Sequence, residues 1–229
     1  MTKLTFIVLV WNEVNTIKKA ITDVKNINYP NKEIIVIDNA STDGTIEILK
    51  KLKNIKKIYR KKNLGAGKSC VTGIKKAKGD YVFIQFSDLE YDHNRSIDML
   101  NYAIKHDLDI VLGSRLKNKK SYFKLIFEKP SYLATILTTF LINIFYNKNF
   151  TDIIGAKLYK TKSVKKIPCN SFHTGFDFEF ISRACKKKLR IGEISIKYMP
   201  RKNWREKKIK FYNIFNAFYE IFKVKFFEK

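Results

Sequence analysis

The chain has 229 residues, enough for one domain with a full core and short for two. Hydrophobic residues make up 45% and aromatics 14%, which excludes a disordered basic tail. The 46 Lys and Arg against 21 Asp and Glu give a formal charge of +25, favouring nucleic acid, anionic lipid or phosphorylated substrates, although a lysine-rich compositional bias accounts for part of it.

The chain enters Leu4-Thr5-Phe6-Ile7-Val8-Leu9-Val10 without a basic leader or a small-residue cleavage site. The run at 4–11 therefore reads as a buried first strand and not as a signal peptide. Over 13–27, Val14, Ile17, Ala20, Ile21 and Val24 fall at three- and four-residue spacing, one face of a helix. Glu33 to Asp38 is a second buried strand, after which Ser41-Thr42-Asp43-Gly44-Thr45 caps another helix. Ile55 to Tyr59 is a short strand, 66–77 a helix, and Asp80 to Phe86 a strand that ends on acidic residues. A helix near 94–106 and a strand at 109–113 follow. Apolar strands alternating with helices predict an α/β fold with a mostly parallel sheet covered on both faces. Ligands of such sheets bind beyond the carboxyl ends of the strands. Those ends carry Trp11-Asn12-Glu13, Asp38-Asn39 and Ser87-Asp88-Leu89-Glu90, which should meet in one crevice.

The second half changes character. No residue between Pro130 and Asn147 is charged, a length that raises a membrane span. Thr135, Thr138, Thr139 and Asn143 lie opposite Leu133, Ile136, Leu137, Phe140, Leu141 and Ile144, however. That amphipathicity favours an interfacial or core-packed helix over a span. At 211–227 an aromatic-rich stretch follows the basic run Arg201 to Lys208. It suits either an anionic bilayer surface or a terminal helix docked on the domain's own core.

Gly67-Lys68-Ser69 suggests a phosphate loop, but Lys62 stands where that loop needs its first glycine. Cys70, Cys169 and Cys185 lie too far apart for a disulfide framework or zinc site, and fit a reducing compartment. His93, His106 and His173 are scattered; His106 reads as a helix-end surface residue. The carboxylates say more. Asp38, Asp88 and Glu90 at strand ends suit a nucleotide and a divalent cation, though any one alone reads equally as a loop cap.

In order along the chain come Trp11-Asn12-Glu13-Val14-Asn15, Ile37 to Thr45, Asn63-Leu64-Gly65-Ala66-Gly67, Ala77-Lys78-Gly79-Asp80, Ser87 to Asp92 and Gly113-Ser114-Arg115. Thr151-Asp152, Gly155-Ala156-Lys157 and Phe176-Asp177-Phe178-Glu179 follow, then Arg201 and Lys207. This series resembles family 2 glycosyltransferases of the GT-A fold, in particular the branch with dolichyl-phosphate mannose synthase and bacterial polyprenyl-phosphate sugar transferases.

The resemblance implies a Rossmann-like mixed sheet flanked by helices, with amphipathic C-terminal helices. It implies one domain, with 1–115 as the nucleotide-sugar half and 116–229 as the acceptor half. Leu9, Trp11, Glu13, Ile37, Asp38, Ser87 and Asp88 would bind the nucleotide sugar. Asp88 and Glu90 would hold Mg²⁺ or Mn²⁺, Asp88 and Arg115 would be catalytic, and Arg115, Arg201 and Lys207 would meet phosphate. The expected activity is inverting transfer of a hexose from a GDP- or UDP-sugar to a polyprenyl or dolichyl phosphate, by a peripheral protein on the cytoplasmic face of an anionic membrane. No nucleic-acid partner is expected. If the acceptor were instead a hydroxyl on a cell-surface glycan, Asp152, Asp177 or Glu179 would be base candidates. A basic, non-catalytic nucleic-acid-binding protein is a third reading, carried by charge alone. Two positions depart from the family: Phe86 replaces the first Asp of Asp-x-Asp, and Leu9 replaces the usual Pro. The first leaves metal dependence open and raises an inactive relative.

Overall fold

Leu4–Val10 is buried at every position, and a strand whose side chains alternate between faces can be so only if both faces are covered. The computed structural model describes residues 1–92, 94–118, 131–171, 175–199 and 213–228 and supplies that cover. Seven strands form one sheet in the order β3-β2-β1-β4-β6-β5-β7. They are β1 (Leu4–Val10), β2 (Lys32–Asp38), β3 (Lys56–Tyr59), β4 (Tyr81–Phe86), β5 (Ile110–Ser114), β6 (Ala156–Lys160) and β7 (Ile191–Ser195). All run parallel except β6, which is antiparallel to both β4 and β5. The expected mixed, mostly parallel sheet is what the chain builds.

The helices are α1 (Ile17–Asn26), α2 (Thr45–Lys51), α3 (Gly65–Lys76), α4 (Arg95–Lys105), α5 (Ser131–Tyr146), a short α6 (Thr161–Val164), α7 (Phe176–Lys186) and α8 (Asn213–Phe222). The last runs into a π-helical turn, Lys223–Phe227. One sheet face, with Phe6, Val8, Val36 and Phe83, packs on α1, α2 and α4 through Ile21, Leu49 and Met99. The other, with Ile7, Leu9, Ile37 and Ile84, packs on α3, α5, α7 and α8 through Ile74, Ile142, Ile181 and Ile221. The first helix begins four residues later than its periodicity predicts. Glu13 to Thr16 form a turn instead, with the Glu13 amide donating to the Thr45 hydroxyl at 3.0 Å.

The antiparallel β6 joins the two halves and is not legible as a strand from its composition. Gly155, just before it, passes so close to β5 that an added Cβ would lie 1.9 Å from the Gly113 carbonyl oxygen. In α5 the threonine stripe faces the protein, with Thr135, Thr138 and Thr139 all buried, while Leu133, Leu137, Phe140 and Ile144 face outward. Among the described residues no helix is long and apolar enough to cross a membrane.

Candidate active site

The segment after β2 stitches three loops together. Ser41 Oγ accepts the Asn12 amide at 2.9 Å, Asn12 Oδ1 accepts the Thr42 amide at 2.8 Å, and Asp43 Oδ2 accepts the Val14 amide at 3.0 Å. Burial works against the Asp43 charge, but hydrogen bonds from the Thr45 hydroxyl and from backbone amides hold its carboxyl below the usual range. Gly44 turns the chain at φ +95, a conformation that L side chains rarely adopt. On the other side Asn39 Oδ1 accepts the Leu64 amide at 3.0 Å, and its Nδ2 donates to Asn63. The loops after β1, β2 and β3 are thereby held around Asp38.

Asp38 is fully buried. Its Oδ2 accepts the Ser41 amide at 3.2 Å, whereas Oδ1 has no donor among the described residues. Tyr59 is its register partner on β3, and burial together with the Asp38 charge pushes the Tyr59 phenol up. Trp11, 37% exposed, stands at the end of β1. Glu13 is buried there, with Oε2 accepting the Thr16 hydroxyl at 2.9 Å.

Leu9 and Ile37 are core side chains, 5% and 0% exposed. The expectation that they line the donor site is therefore revised to one in which they underlie it. Leu9 is paired in register with Ile37 on one side and Phe86 on the other, and Ile37 with Ile58. The two departures from the family pattern are thus neighbours in one apolar row. Ser87 closes the same seam, its hydroxyl donating to the Leu9 carbonyl at 2.9 Å, so that this hydroxyl serves the fold.

Beyond Phe86 the chain makes a tight turn in which Leu89 takes φ +60 and Asp88 Oδ1 accepts the Glu90 amide at 3.2 Å. Glu90 Oε2 accepts the Tyr198 hydroxyl at 2.8 Å, and its carbonyl accepts the Met199 amide at 2.8 Å. The acidic turn is therefore anchored to the segment after β7. Tyr198 is a neighbour of the acidic turn that no local sequence pattern indicates, because 108 residues separate it from Glu90. Burial and the Glu90 carboxylate push its phenol up.

Arg115 does not stand open toward a phosphate as expected. Its Nε and Nη2 donate to the two oxygens of Asp152 at 2.7 and 3.0 Å, and its amide adds a third bond at 3.0 Å. The guanidinium lies 5.4 Å from the ring centres of both Tyr132 and Tyr198. Burial works against the charge on Asp152, but Arg115 and the surrounding amides hold its carboxyl below the usual range. Arg115 therefore fixes the wall behind the acidic turn.

The three expected base candidates separate in the same way. Asp152 is engaged with Arg115. Glu179 is fully buried and accepts the Asn170 and Ser171 amides, the Cys169 thiol and the Arg183 guanidinium. Asp177 alone of the three is partly exposed, 28% at its side chain, and it pairs with the buried Lys157 at 3.0 Å. It sits in the first turn of α7, where Phe176 packs so closely on α3 that a Cβ on Gly67 would lie 2.7 Å away.

Arg201, Lys207 and the basic run around them, with His93 and His173, lie outside the described residues. His106 is exposed at the C-terminus of α4, as its position suggested. Among the described residues no cluster of three or more His, Cys, Asp or Glu could hold a metal. Two hard carboxylates, Asp88 and Glu90, nevertheless share one turn. That donor set suits Mg²⁺ or Mn²⁺, which commonly take one or two carboxylates and complete their shell with substrate phosphates and water.

A Rossmann-like sheet with acidic strand ends suits a nucleotide-binding enzyme of any of several classes, and the family match narrows it. Residues 5–168 match Glycosyl transferase family 2. The chain belongs to that family. It is 26% identical over 220 residues to the UDP-N-acetylglucosamine–dolichyl-phosphate N-acetylglucosaminyltransferase of Methanococcus voltae, covering 85% of each chain. Of two further curated relatives it spans 40% and 30%. Among solved structures it is similar to Staphylococcus aureus TarS 1-349 in complex with UDP-GlcNAc, with a TM-score of 0.67 and 21% identity over 99% of this chain and 68% of that one. It is also similar to Mycobacterium tuberculosis glucosyl-3-phosphoglycerate synthase in complex with Mn²⁺, UDP and glucosyl-3-phosphoglycerate, with a TM-score of 0.72 and 14% identity over 98% and 80%. The fold is GT-A.

Proposed function

We propose that the chain transfers a hexose from a UDP- or GDP-sugar to a polyprenyl or dolichyl phosphate, with inversion, as a peripheral protein on the cytoplasmic face of an anionic membrane. The observation that carries the donor half is Asp38. A fully buried carboxylate with one oxygen lacking a donor is costly unless a ligand supplies the hydrogen bond. The N–H edge of a nucleobase does so. Trp11 and Glu13, on the loop that Ser41 and Thr45 hold in place, flank the base and ribose. Asp88 and Glu90 hold Mg²⁺ or Mn²⁺, which when bound neutralises charge on the diphosphate leaving group.

A lipid phosphate is already an anionic nucleophile. One of its oxygens forms the bond to the anomeric carbon as the bond to the diphosphate breaks, and the electron pair leaves with the nucleotide. Such a step needs positioning and charge neutralisation and no general base. Arg201 and Lys207 supply the cations for acceptor or donor phosphate, while Arg115 acts from behind through Asp152 and Tyr198. Residues 1–115 serve the donor and 116–229 the acceptor within one domain. The acceptor class draws on the dolichyl-phosphate acceptor of the Methanococcus voltae relative. A hydroxyl acceptor on a glycan is the second reading, favoured by one observation: Asp177 is partly exposed beside a buried lysine.

Assaying Asp177→Asn on each acceptor separates the two. A hydroxyl acceptor would lose about 10²–10⁴-fold in rate with its base gone, whereas transfer to a lipid phosphate would fall far less. A loss of that size on lipid phosphate would overturn the base-free step.

A further inference from the structure

We propose that the outward faces of α5 and α8, together with the lysine-lined cavity at their shared end, form a docking surface for an anionic lipid bilayer. The proposal deepens the lipid-phosphate reading and rests on it for its purpose, but it stands on residues that take no part in the donor site.

α5 is built inside out for a helix in water. Leu133, Leu137, Phe140 and Ile144, spaced by four, three and four residues, are 37%, 40%, 58% and 58% exposed. Thr135, Thr138 and Thr139 point into the protein at 4%, 1% and 3%. Their hydroxyls are satisfied there. Thr138 donates to the Ala134 carbonyl at 2.7 Å, Thr139 accepts the Ile153 amide at 3.4 Å, and Thr135 accepts from Arg115 at 3.5 Å. A helix facing water places these two stripes the other way round.

α8 and its π-helical turn repeat the arrangement at the same spacing. Phe215, Tyr219, Phe222 and Phe226 are 68%, 64%, 41% and 60% exposed, whereas Ala217, Ile221 and Val224 are buried. The two stripes adjoin, since the Phe145 ring lies 5.2 Å from Phe222 and 5.6 Å from Phe226. Eight large apolar or aromatic side chains on neighbouring helices make a patch that a monomer in water rarely carries without a partner.

The charge around it names the partner. At the C-terminal end of α5 a cavity of about 350 Å³ is lined by Tyr146, Lys148, Cys185, Lys186, Lys188 and Lys225, with no acidic side chain among them. Lys225 donates to the Phe145 carbonyl at 2.5 Å and Lys186 to the Val224 carbonyl at 2.9 Å, so both are pinned at the edge of the apolar patch. The nearby Glu228 carboxylate is paired with Arg183 at 2.6 Å. Apolar side chains bordered by lysines match the boundary between acyl chains and phosphate headgroups. A formal charge of +25 opposes a second copy of the chain as the occupant.

The test is vesicle co-sedimentation of the full chain, without sugar donor or prenyl phosphate. Vesicles of phosphatidylcholine alone are compared with vesicles also containing phosphatidylglycerol. Binding is expected to favour the anionic vesicles and to weaken as salt rises from about 0.1 M to about 1 M. Lys148→Glu with Lys188→Glu should lower anionic binding by at least roughly 30-fold, about fivefold for each lysine near the surface. Phe140→Gln with Phe215→Gln should lower it more than about tenfold. Donor affinity unchanged in both double variants shows that they fold. Equal binding by wild type and variants, no preference for anionic vesicles, or a dimer abolished by the phenylalanine changes would overturn the proposal. Transfer to a short-chain, water-soluble prenyl phosphate keeps the two readings apart. Lost docking with that transfer intact sinks the surface alone; docking without transfer sinks the acceptor alone.

Discussion

Asp38, Asp152 and Glu179 are all fully buried carboxylates, and their partners divide their work. Asp152 and Glu179 are surrounded by donors and hold loops. Asp38 has one oxygen, Oδ1, with no donor among the described residues, the feature on which its proposed role rests. Asp38→Asn preserves the shape and removes the charge. By calorimetry it should raise the donor dissociation constant about 10–100-fold, the range for a hydrogen bond to a charged group; an unchanged constant would remove Asp38 from the nucleotide site. Arg115→Ala leaves Asp152 buried and unpaired, so a denaturant melt should show a loss of about 3–5 kcal/mol. Arg115→Lys should rescue little of it, because a lysine cannot reproduce the two-pronged geometry.

Glu179 carries a pH signature. Burial raises its carboxyl, but hydrogen bonds from the Cys169 thiol and from the Ser171 and Asn170 amides outweigh that and bring it from 4.5 down to about 2. A folded value below the unfolded one stabilises the fold above the unfolded value, and this is lost as pH falls from 4.5 toward about 2. The contribution is on the order of 3 kcal/mol. Glu179→Gln should flatten the stability-versus-pH curve across that window, and an unaltered slope would contradict the assignment. Asp38, Asp88 and Glu90 were legible as strand-end carboxylates. The engagement of Arg115 was not, since its partner lies 37 residues away and no local pattern links them.

At the scale of elements, the pattern of apolar and turn residues located β1 to β5 and α1 to α4, although β3 carries no buried side chain. It failed at β6, a short strand whose Lys157 turns its amine onto the Ile154 and Gly155 carbonyls and Asp177. It also exposed both stripes of α5 without saying which one faces the protein. That choice depends on Arg115, Ile153 and the other partners of the threonines, which lie elsewhere in the chain. Phe86 looked alone like a lost metal ligand. Beside Leu9 in the sheet it is half of an apolar pair, so the two departures belong together. Gly155, just before β6, passes directly against the Gly113 carbonyl of β5. Gly155→Ala should cost at least about 1–3 kcal/mol, read as a lowered Tm, and an unshifted Tm would mean that β5 and β6 separate easily.

The whole molecule gathers Trp11, Glu13, Asp38, Asp88 and Glu90 at the carboxyl ends of the parallel strands β1, β2 and β4 and, on α5 and α8, sets an apolar face with a cationic edge. Net charge had pointed to polyanions without saying which; the placement of Lys148, Lys186, Lys188 and Lys225 at the border of that face is what favours a lipid surface. The family fixes the reaction type, and the acceptor is the central claim still to be measured. The direct test is incubation with labelled UDP-N-acetylglucosamine or GDP-mannose, polyprenyl phosphate and Mg²⁺ or Mn²⁺, followed by organic extraction. Label is expected in the organic phase, released as free sugar by mild acid and abolished by Asp88→Ala. Donor consumed with label only in water-soluble glycan, or an Asp88→Ala variant as active as wild type, would contradict it.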